Sequence, residues 1–342
     1  MPDKPVNVAV IGHGYWGPNL LRVFAGARGC NLVACCDLDE SRLKMAKEAH
    51  REITVTSDLQ SVLDDPRIDA ISIATPISTH FALAKRALLA GKHVLVEKPL
   101  TQKSADAAEL IRLGKKQDRI VMVGHTYEYS PPVNKIKELI QKGELGDLYY
   151  IDSVRLNLGL FQSDFNVLWD LAPHDISIIL FLMEKRVVSV SAQGQSSIPG
   201  HLEDLAYLTI RFENGTMAHC HVSWLSPCKI RRFTIVGKQK MILWDDLEPE
   251  DKVKVYDKGI SISYKQLSKL QVLYRTGDMY CPKIEGMEPL KMECQHFIDC
   301  IAGHKVPKTS GEVGLRVVKI LEAAEKSLKL HGKEVRISDD KG

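Results

Sequence analysis

Three glycines near the start of the chain, Gly12, Gly14 and Gly17, have the spacing of a loop that binds a dinucleotide. They follow an apolar run and precede a helical pattern, which is the context that such a loop needs. Gly12 permits a tight turn, Gly14 lets the backbone approach a diphosphate, and Gly17 lets the helix pack close to the strand. Pro18 suits the first turn of that helix, whose first amides would face the phosphates. The loop therefore predicts a dinucleotide site.

An acidic residue, Asp37, ends the second predicted strand. A carboxylate at this place accepts hydrogen bonds from the adenosine ribose and repels a 2′-phosphate, so it favours NAD over NADP. Two alternatives stay open. Asp37 could cap the helix predicted over 39–49, and Arg42 could attract a 2′-phosphate. NAD is the predicted cofactor, with NADP disfavoured.

Lys98 ends the fifth predicted strand, within the sequence Glu97-Lys98-Pro99. Ligands of open α/β sheets bind at the carboxyl ends of the strands, where an ammonium group can polarise a reacting hydroxyl or stabilise a developing alkoxide. The alternative is a surface lysine paired with Glu97. The position favours a catalytic role.

A second group that could do chemistry is Asp170 with His174, four residues later. On a helix, this spacing places both side chains on one face. A carboxylate next to an imidazole raises its basicity, which suits proton removal from an alcohol near neutral pH. Pro173 is compatible with a helix that begins there, and Asp170 would then be a cap in the alternative interpretation. Asp175 reads as a charge at the helix start.

The elements that must position these groups alternate through the first 125 residues. Apolar runs at 6–12, 31–37, 53–56, 70–75, 93–99 and 120–125 predict strands, and 16–27, 39–49, 77–90 and 104–117 have helical periodicity. Continuous apolar strands between helices indicate a parallel sheet that is buried on both faces. Residues 1–125 are therefore predicted to form an α/β, Rossmann-type, doubly wound domain.

After about Leu148 the apolar residues alternate instead, at 148–157, 187–195, 205–212, 216–224 and 230–237. Helices are predicted near 171–184, 290–302 and 311–330. Period-two alternation is typical of a sheet with one covered face. Residues 126–342 are predicted to be an α+β domain with an open, largely antiparallel sheet, used for substrate binding and oligomerisation. Its last helix could pack back on the first domain.

Composition narrows the class of protein. The 342 residues are 44% hydrophobic and 26% charged with a net charge of +3, which argues against a nucleic-acid surface. The eight cysteines form no CxxC pair, and buried reduced thiols fit a cytoplasmic protein. No apolar stretch has the length of a membrane span. His219 and His221 share a strand face without a recognisable third ligand, so no metal is predicted.

Glu97-Lys98-Pro99, the glycine loop, and Ala74-Thr75-Pro76 followed by His80 together resemble the glucose-fructose oxidoreductase/inositol dehydrogenase/MocA (Gfo/Idh/MocA) family. The resemblance covers nearly the whole chain. It implies that Lys98 binds substrate and assists catalysis, and that Asp170 and His174 are catalytic. It also implies a homo-oligomer, either a tetramer or a dimer. The implied cofactor-binding residues are Gly12, Gly14, Tyr15, Trp16, Gly17, Asp37, Ser57, Ala74, Thr75, Pro76, His80, Glu97 and Lys98.

Three longer stretches, 12–24, 125–140 and 153–182, are similar to UDP-N-acetylglucosaminuronate (UDP-GlcNAcA) 3-dehydrogenases of polysaccharide biosynthesis. This similarity implies oxidation of the C3 hydroxyl of a nucleotide sugar. The implied substrate-binding residues are Lys98, Arg155, Asn157, Gln162, Asn166 and His174. Arg155 suits a carboxylate or a diphosphate, although it could also be a solvated sheet residue. His125 and Tyr127 are secondary candidates.

Other functions stay open within this resemblance. One is a dehydrogenase of a free sugar or an inositol, and another is an NAD-dependent glycosidase with no net redox change. A non-catalytic nicotinamide sensor is disfavoured, because a sensor would have no need of all three residues Lys98, Asp170 and His174. We expect no nucleic-acid or membrane partner.

Overall fold

The computed structural model describes residues 4–159, 164–200, 202–264 and 270–337. The chain divides into two compact units. The first consists of the chain up to Tyr129 together with Met287–Lys319, and the second consists of Ser130–Gly286 and the chain from Ile320 onward. The sequence had placed everything after residue 125 in the second domain, whereas Met287–Lys319 belongs with the first unit.

The first unit is built on a six-stranded parallel sheet, as predicted. Its strands are β1 Val6–Ile11, β2 Cys30–Cys36, β3 Thr54–Thr56, β4 Ala70–Ile73, β5 His93–Glu97 and β6 Val121–Gly124, in the spatial order β3-β2-β1-β4-β5-β6. Its first five helices are α1 Gly17–Ala25, α2 Glu40–Ala49, α3 Leu59–Asp64, α4 Ile77–Leu89 and α5 Ser104–Gln117. The strand order reverses between β1 and β4, and ligands of such sheets bind where this happens.

The strands of this sheet are continuous apolar runs because both faces are covered. Every residue of β4 and β6 is buried, and in β1 only Asn7 is partly exposed. The sequence analysis did not identify the short helix α3, which Asp58 caps by accepting a hydrogen bond from the Gln60 amide.

The core of the first unit extends to a helix from much later in the chain. The rings of Phe24 in α1 and Phe297 lie edge to face with centroids 6.5 Å apart, and both are fully buried. Phe297 belongs to helix α8, Pro289–Gly303. This apolar contact explains why residues from the C-terminal third belong to the first unit.

The second unit contains a nine-stranded sheet in the described residues. Its strands are β7 Leu148–Leu156, β8 Val187–Gln195, β9 Leu205–Phe212, β10 Met217–Ser223, β11 Ile230–Gly237, β12 Met241–Asp245, β13 Val253–Tyr264, β14 Leu270–Tyr280 and β15 Val335–Arg336. They lie in the order β14-β13-β12-β11-β7-β10-β9-β8-β15. Only the β7–β10 pair is parallel among these strands, so the prediction of a largely antiparallel sheet is confirmed.

The remaining helices are α6 Pro131–Gln141, α7 Val167–Met183 and α9 Gly311–Lys329. α7 packs against β7, β9 and β10, and most of its residues are buried. The boundary between the two units falls within α9. Of the helices that the structure describes, none is both long and apolar enough to cross a membrane.

Candidate active site

The glycine loop between β1 and α1 has a backbone that excludes larger residues at two positions. Gly12 has a φ of +94°, and a Cβ there would lie 2.5 Å from the carbonyl oxygen of Ala74. A Cβ at Gly17 would overlap the carbonyl oxygen of Gly12. At Gly14, by contrast, the nearest atom is an Arg42 nitrogen at 3.7 Å. The loop therefore packs tightly against the protein at Gly12 and Gly17 and has space at Gly14, where the protein backbone of such loops approaches the diphosphate.

The start of α1 is prepared for an anion. Trp16 is the N-cap residue, and in the described part of the chain no side chain caps this end. Uncapped amides at a helix N-terminus attract phosphate groups. Tyr15 is 93% exposed and stacks on Trp16 with ring centroids 6.5 Å apart. Together with the open Gly14, this arrangement fits the diphosphate of a dinucleotide.

Asp37 supports the loop from the end of β2. One of its carboxylate oxygens accepts a hydrogen bond from the His13 amide at 2.6 Å, and the other accepts one from the Asp39 amide at 2.9 Å. The cap of α2 is Asp39, which accepts from the amides of Ser41 and Arg42. The alternative that Asp37 caps this helix is therefore wrong.

Arg42, the residue that could have favoured a 2′-phosphate, faces carboxylates. Its guanidinium lies 3.5 Å from Asp39 and 3.9 Å from Asp37. These two negative charges occupy the neighbourhood that a 2′-phosphate would need, which favours a ribose diol.

The predicted residues after β4 have two different surroundings. His80 is buried, and its ring nitrogens lie 2.8 Å from the Thr75 carbonyl oxygen and 2.9 Å from that of Pro99. It thus ties the end of β4 to the end of β5. The hydroxyl groups of Thr75 and Thr79 are 2.7 Å apart. Ala74 and Thr75 are partly exposed, while Pro76 and Ser57 are exposed.

A group of buried titratable residues surrounds the end of β5. Burial raises the pKa of the Glu97 carboxyl to about 7, with Lys98 opposing this effect. Burial also raises the pKa of Glu293 in α8 well above its usual range, and the negative charge of Glu97 adds to the shift. One Glu293 oxygen accepts a hydrogen bond from the Thr126 hydroxyl at 2.7 Å. Burial and the charge of Glu97 both favour the protonated form of Glu293.

His125 completes this group. It is 1% exposed, and neither ring nitrogen has a hydrogen-bond partner among the described residues. Burial, aided by the charge of Lys98, lowers the pKa of His125 to about 3, so the imidazole is neutral. Glu293 was not among the site residues predicted from the sequence, because its position beside Glu97 depends on the packing of α8 in the first unit.

In the second unit, Asp170 and His174 lie on α7, which starts earlier than the sequence predicted. Asn166 caps it by accepting from the Trp169 amide, and Pro173 lies inside the helix instead of at its start. Asp170, Leu171, His174 and Phe181 are its only residues that are not buried. Asp170 and His174 are therefore one turn apart on the accessible part of the helix, which their proposed chemistry requires.

Asp170 is held by a residue that the sequence analysis did not select. The indole N–H of Trp224 donates a hydrogen bond to one Asp170 carboxylate oxygen at 2.9 Å. Trp224 follows β10, and its pairing with Asp170 arises only because α7 packs on that strand. No sequence pattern links the two residues.

The predicted substrate residue Arg155 has a different environment from either alternative. It is 4% exposed, and its guanidinium contacts the Asp175 carboxylate with nitrogen–oxygen distances of 2.7 and 2.6 Å. Asp175 is fully buried, and burial raises its pKa while Arg155 lowers it. The two residues form a core ion pair between β7 and α7, so Arg155 is not solvated and Asp175 is not a helix-start charge.

The other predicted substrate residues differ in their exposure to solvent. Asn166 is buried, and its amide nitrogen donates to Glu203 at 3.0 Å while its oxygen caps α7. Asn157 is partly exposed just after β7. Gln162 lies outside the described residues. His219 bonds to Thr209 and stacks on Tyr207, and the described side chains include no group of three that could hold a metal.

Two family models match the chain. The model for the oxidoreductase family with an NAD-binding Rossmann fold matches residues 6–125, and the model for the GFO/IDH/MocA C-terminal domain matches residues 133–243. This chain belongs to the Gfo/Idh/MocA family. It is an oxidoreductase whose cofactor is NAD, in agreement with the shape of the glycine loop and the position of Asp37.

Two dehydrogenases that are named for different substrates are similar to this chain. UDP-N-acetylglucosamine 3-dehydrogenase of Acidithiobacillus ferrooxidans is 27% identical over 262 residues, which are 73% of this chain and 76% of that protein. The scyllo-inositol 2-dehydrogenase (NAD(+)) of Bacillus subtilis is 28% identical over 323 residues, which are 89% of each chain.

A solved structure has the same fold. The WlbA dehydrogenase from Bordetella pertussis, in complex with NADH and UDP-GlcNAcA, superposes with a TM-score of 0.82. The match covers 99% of this chain and 100% of that one at 18% identity. At this identity the likeness shows the fold alone.

Proposed function

We propose that this enzyme oxidises the C3 hydroxyl of a UDP-sugar, with UDP-N-acetylglucosaminuronic acid as the preferred substrate. The observation that carries the proposal is the placement of Asp170 and His174 one turn apart on the accessible face of α7. The stretch 153–182 around them is also the part of the chain that resembles UDP-GlcNAcA 3-dehydrogenases. The similarity to a UDP-N-acetylglucosamine 3-dehydrogenase supports the same substrate class.

The first unit supplies the cofactor site. The glycine loop and the start of α1 would hold the diphosphate, and Asp37 would accept hydrogen bonds from the ribose hydroxyls. When bound there, NAD⁺ would supply the hydride acceptor for the carbinol carbon of the substrate. Burial keeps the His125 imidazole neutral at neutral pH, so His125 adds no positive charge near Lys98.

The chain's own residues manage the proton of the hydroxyl. His174 takes that proton as general base, because an imidazole near neutral pH matches this task. Asp170 orients the imidazole and stabilises its charged form. Lys98 stabilises the negative charge that develops on the substrate oxygen. Each of the three groups thus acts on the loss of the hydroxyl proton or on the negative charge that develops on the substrate oxygen.

The contacts to the sugar must be revised from the sequence prediction. Arg155 and Asn166 are positioning residues, since their polar groups bond within the protein. Asn157 stays a candidate for contact with the substrate, together with Gln162. In this proposal Arg155 does not bind the carboxylate of a uronic acid, because it is paired with Asp175. UDP-N-acetylglucosamine, which lacks that carboxylate, must therefore be included in every substrate test.

A substrate panel separates this proposal from its alternatives. The enzyme is mixed anaerobically with NAD⁺ and UDP-GlcNAcA, UDP-N-acetylglucosamine, scyllo-inositol, myo-inositol or a glycoside, and NADH formation is followed. We expect NADH with UDP-GlcNAcA. A response to the inositols alone would make the chain a cyclitol dehydrogenase, in line with its 89% coverage of the Bacillus enzyme. Cleavage of the glycoside without NADH would indicate a glycosidase.

The proposed roles predict the effect of two substitutions. Lys98→Ala and His174→Ala should each lower kcat by roughly 10²-fold, because each removes a group that acts in the transition state. NADH affinity, measured by fluorescence, should stay within about threefold, which separates catalysis from cofactor binding. Lys103→Ala and His219→Ala are matched controls, and both should keep wild-type kcat. Full activity in either test variant would remove that residue from the mechanism.

A further inference from the structure

Trp224 contacts both Asp170 in α7 and Gly159, which lies shortly after β7. Its side chain is 1% exposed, so the indole has one fixed environment. The indole N–H has a single hydrogen to donate, and Asp170 accepts it at 2.9 Å. A buried donor aimed at one oxygen of a carboxylate restricts the orientation of that carboxylate.

The backbone of Trp224 is fixed on two sides. Its amide donates to the carbonyl oxygen of Asp204, and its own carbonyl oxygen accepts from the Gly159 amide, both at 2.9 Å. Asp204 is fully buried and accepts hydrogen bonds from the amide and hydroxyl of Ser197. Hydrogen bonds on both sides therefore fix the main chain at Trp224.

The ring of Trp224 is in close contact with Gly159. A Cβ at Gly159 would lie 2.7 Å from the indole Cδ1, so only glycine lets the segment after β7 pass this close to the ring. Asn157, two residues earlier, donates its amide to the Ser223 carbonyl oxygen at 3.2 Å. The same indole thus contacts Asp170 and the segment that carries Asn157.

We propose that Trp224 is a positioning residue for the oxidation reaction, which holds Asp170 in the orientation that His174 needs and fixes the backbone at Gly159, two residues after Asn157. The inference rests on the proposed function, because it requires Asp170 to act in the reaction. The hydrogen bond to a charged acceptor is the stronger kind, and its loss would remove one restraint on the orientation of the carboxylate.

The test is Trp224→Phe, which keeps an aromatic ring and removes the N–H. We expect kcat to fall about tenfold, the scale of one hydrogen bond to a charged group, with KM for NAD and NADH affinity unchanged. Trp244→Phe is the matched control, because Trp244 is equally buried in the same unit and its ring packs on Phe233. The control should keep wild-type kcat.

A double-mutant cycle with Asp170→Ala gives the decisive readout. If Trp224 acts through Asp170, Trp224→Phe should change kcat less than about twofold in the Asp170→Ala background. An equal tenfold loss in both backgrounds would overturn the proposal, since Trp224 would then act independently. Wild-type kcat in Trp224→Phe alone would also overturn it while leaving the proposed function intact.

Two further outcomes keep the test decisive. If Asp170→Ala itself is fully active, the catalytic role of Asp170 is wrong and the Trp224 proposal falls with it. If Trp224→Phe does not fold, β-(3-benzothienyl)alanine at position 224 replaces the N–H by sulfur in a ring of nearly the same shape. That variant should show the same tenfold loss of kcat, and wild-type kcat would overturn the proposal.

Discussion

The cofactor loop of the first unit and the α7 region of the second are stabilised in different ways. In the loop, the backbone itself sets the geometry, since Gly12 and Gly17 leave no room for a Cβ. Around α7, side chains set the geometry through the buried Arg155–Asp175 pair and the Trp224–Asp170 hydrogen bond. The loop is therefore sensitive to added volume, whereas the α7 region is sensitive to the loss of one polar partner.

The largest effect should follow from breaking the buried ion pair. Arg155→Met leaves the Asp175 carboxylate buried without its cation, which should lower the free energy of unfolding by about 3–5 kcal/mol. Urea unfolding followed by circular dichroism measures this change. Asn157→Ala, two residues along the chain and partly exposed, is the control and should change stability by less than about 0.5 kcal/mol.

A double substitution sharpens this result. Arg155→Met with Asp175→Leu removes both charges, and most of the lost stability should return because the unpaired charge is gone. A direct role of Arg155 in substrate binding predicts the opposite pattern, with near-normal stability in Arg155→Met and a raised KM for the UDP-sugar.

An intermediate effect should come from adding one carbon to the loop. Gly17→Ala would overlap the Gly12 carbonyl oxygen, and overpacking of this kind costs about 1–3 kcal/mol. We expect NADH affinity to fall at least about tenfold, measured by titration of NADH fluorescence. Gly14→Ala has only Arg42 nearby at 3.7 Å and tests the open side. Its apo stability should match wild type, and equal stability losses in both variants would contradict the comparison.

A pH-dependent effect concerns Glu293. Its pKa is raised from 4.5 in the folded state, so the folded protein keeps a proton that the unfolded chain loses. The contribution of Glu293 to the free energy of unfolding must then fall as pH rises above about 4.5, by at most about 1.4 kcal/mol per pH unit. Glu293→Gln has no proton to lose at this position. Its stability relative to wild type should therefore increase from pH 5 to pH 8.

Thermal unfolding across that pH range makes the measurement, with the exposed Glu48→Gln as the control. A difference between Glu293→Gln and wild type that stays constant with pH would show that Glu293 is ionised in the folded protein. The first unit would then contain a charged carboxylate beside Glu97.

The sequence predicted the loop well because its geometry depends on residue type and spacing alone. Gly12, Gly17 and Asp37 lie where the pattern placed them, and the parallel sheet follows from continuous apolar strands. It predicted the helix that carries Asp170 and His174 but not its start, because Pro173 was assigned to the first turn when Asn166 supplies the cap.

The side-chain pairs were beyond the sequence for a physical reason. Arg155 and Asp175 meet because α7 packs on β7, and Glu293 approaches Glu97 because α8 packs in the first unit. Such pairs depend on topology, which local periodicity does not encode. Trp224 was missed for the same reason, although an indole that follows a strand and has one polar atom to satisfy is a residue worth testing.

The proposed reaction moves a hydride from C3 of the UDP-sugar to NAD⁺. It is tested most directly with UDP-GlcNAcA that carries deuterium at C3, a single turnover with NAD⁺, and mass spectrometry of the nicotinamide product. We expect the reduced cofactor to carry one deuterium and to form more slowly than with unlabelled substrate. Reduced cofactor without deuterium, or no reduction with any UDP-sugar while another alcohol reacts, would contradict it.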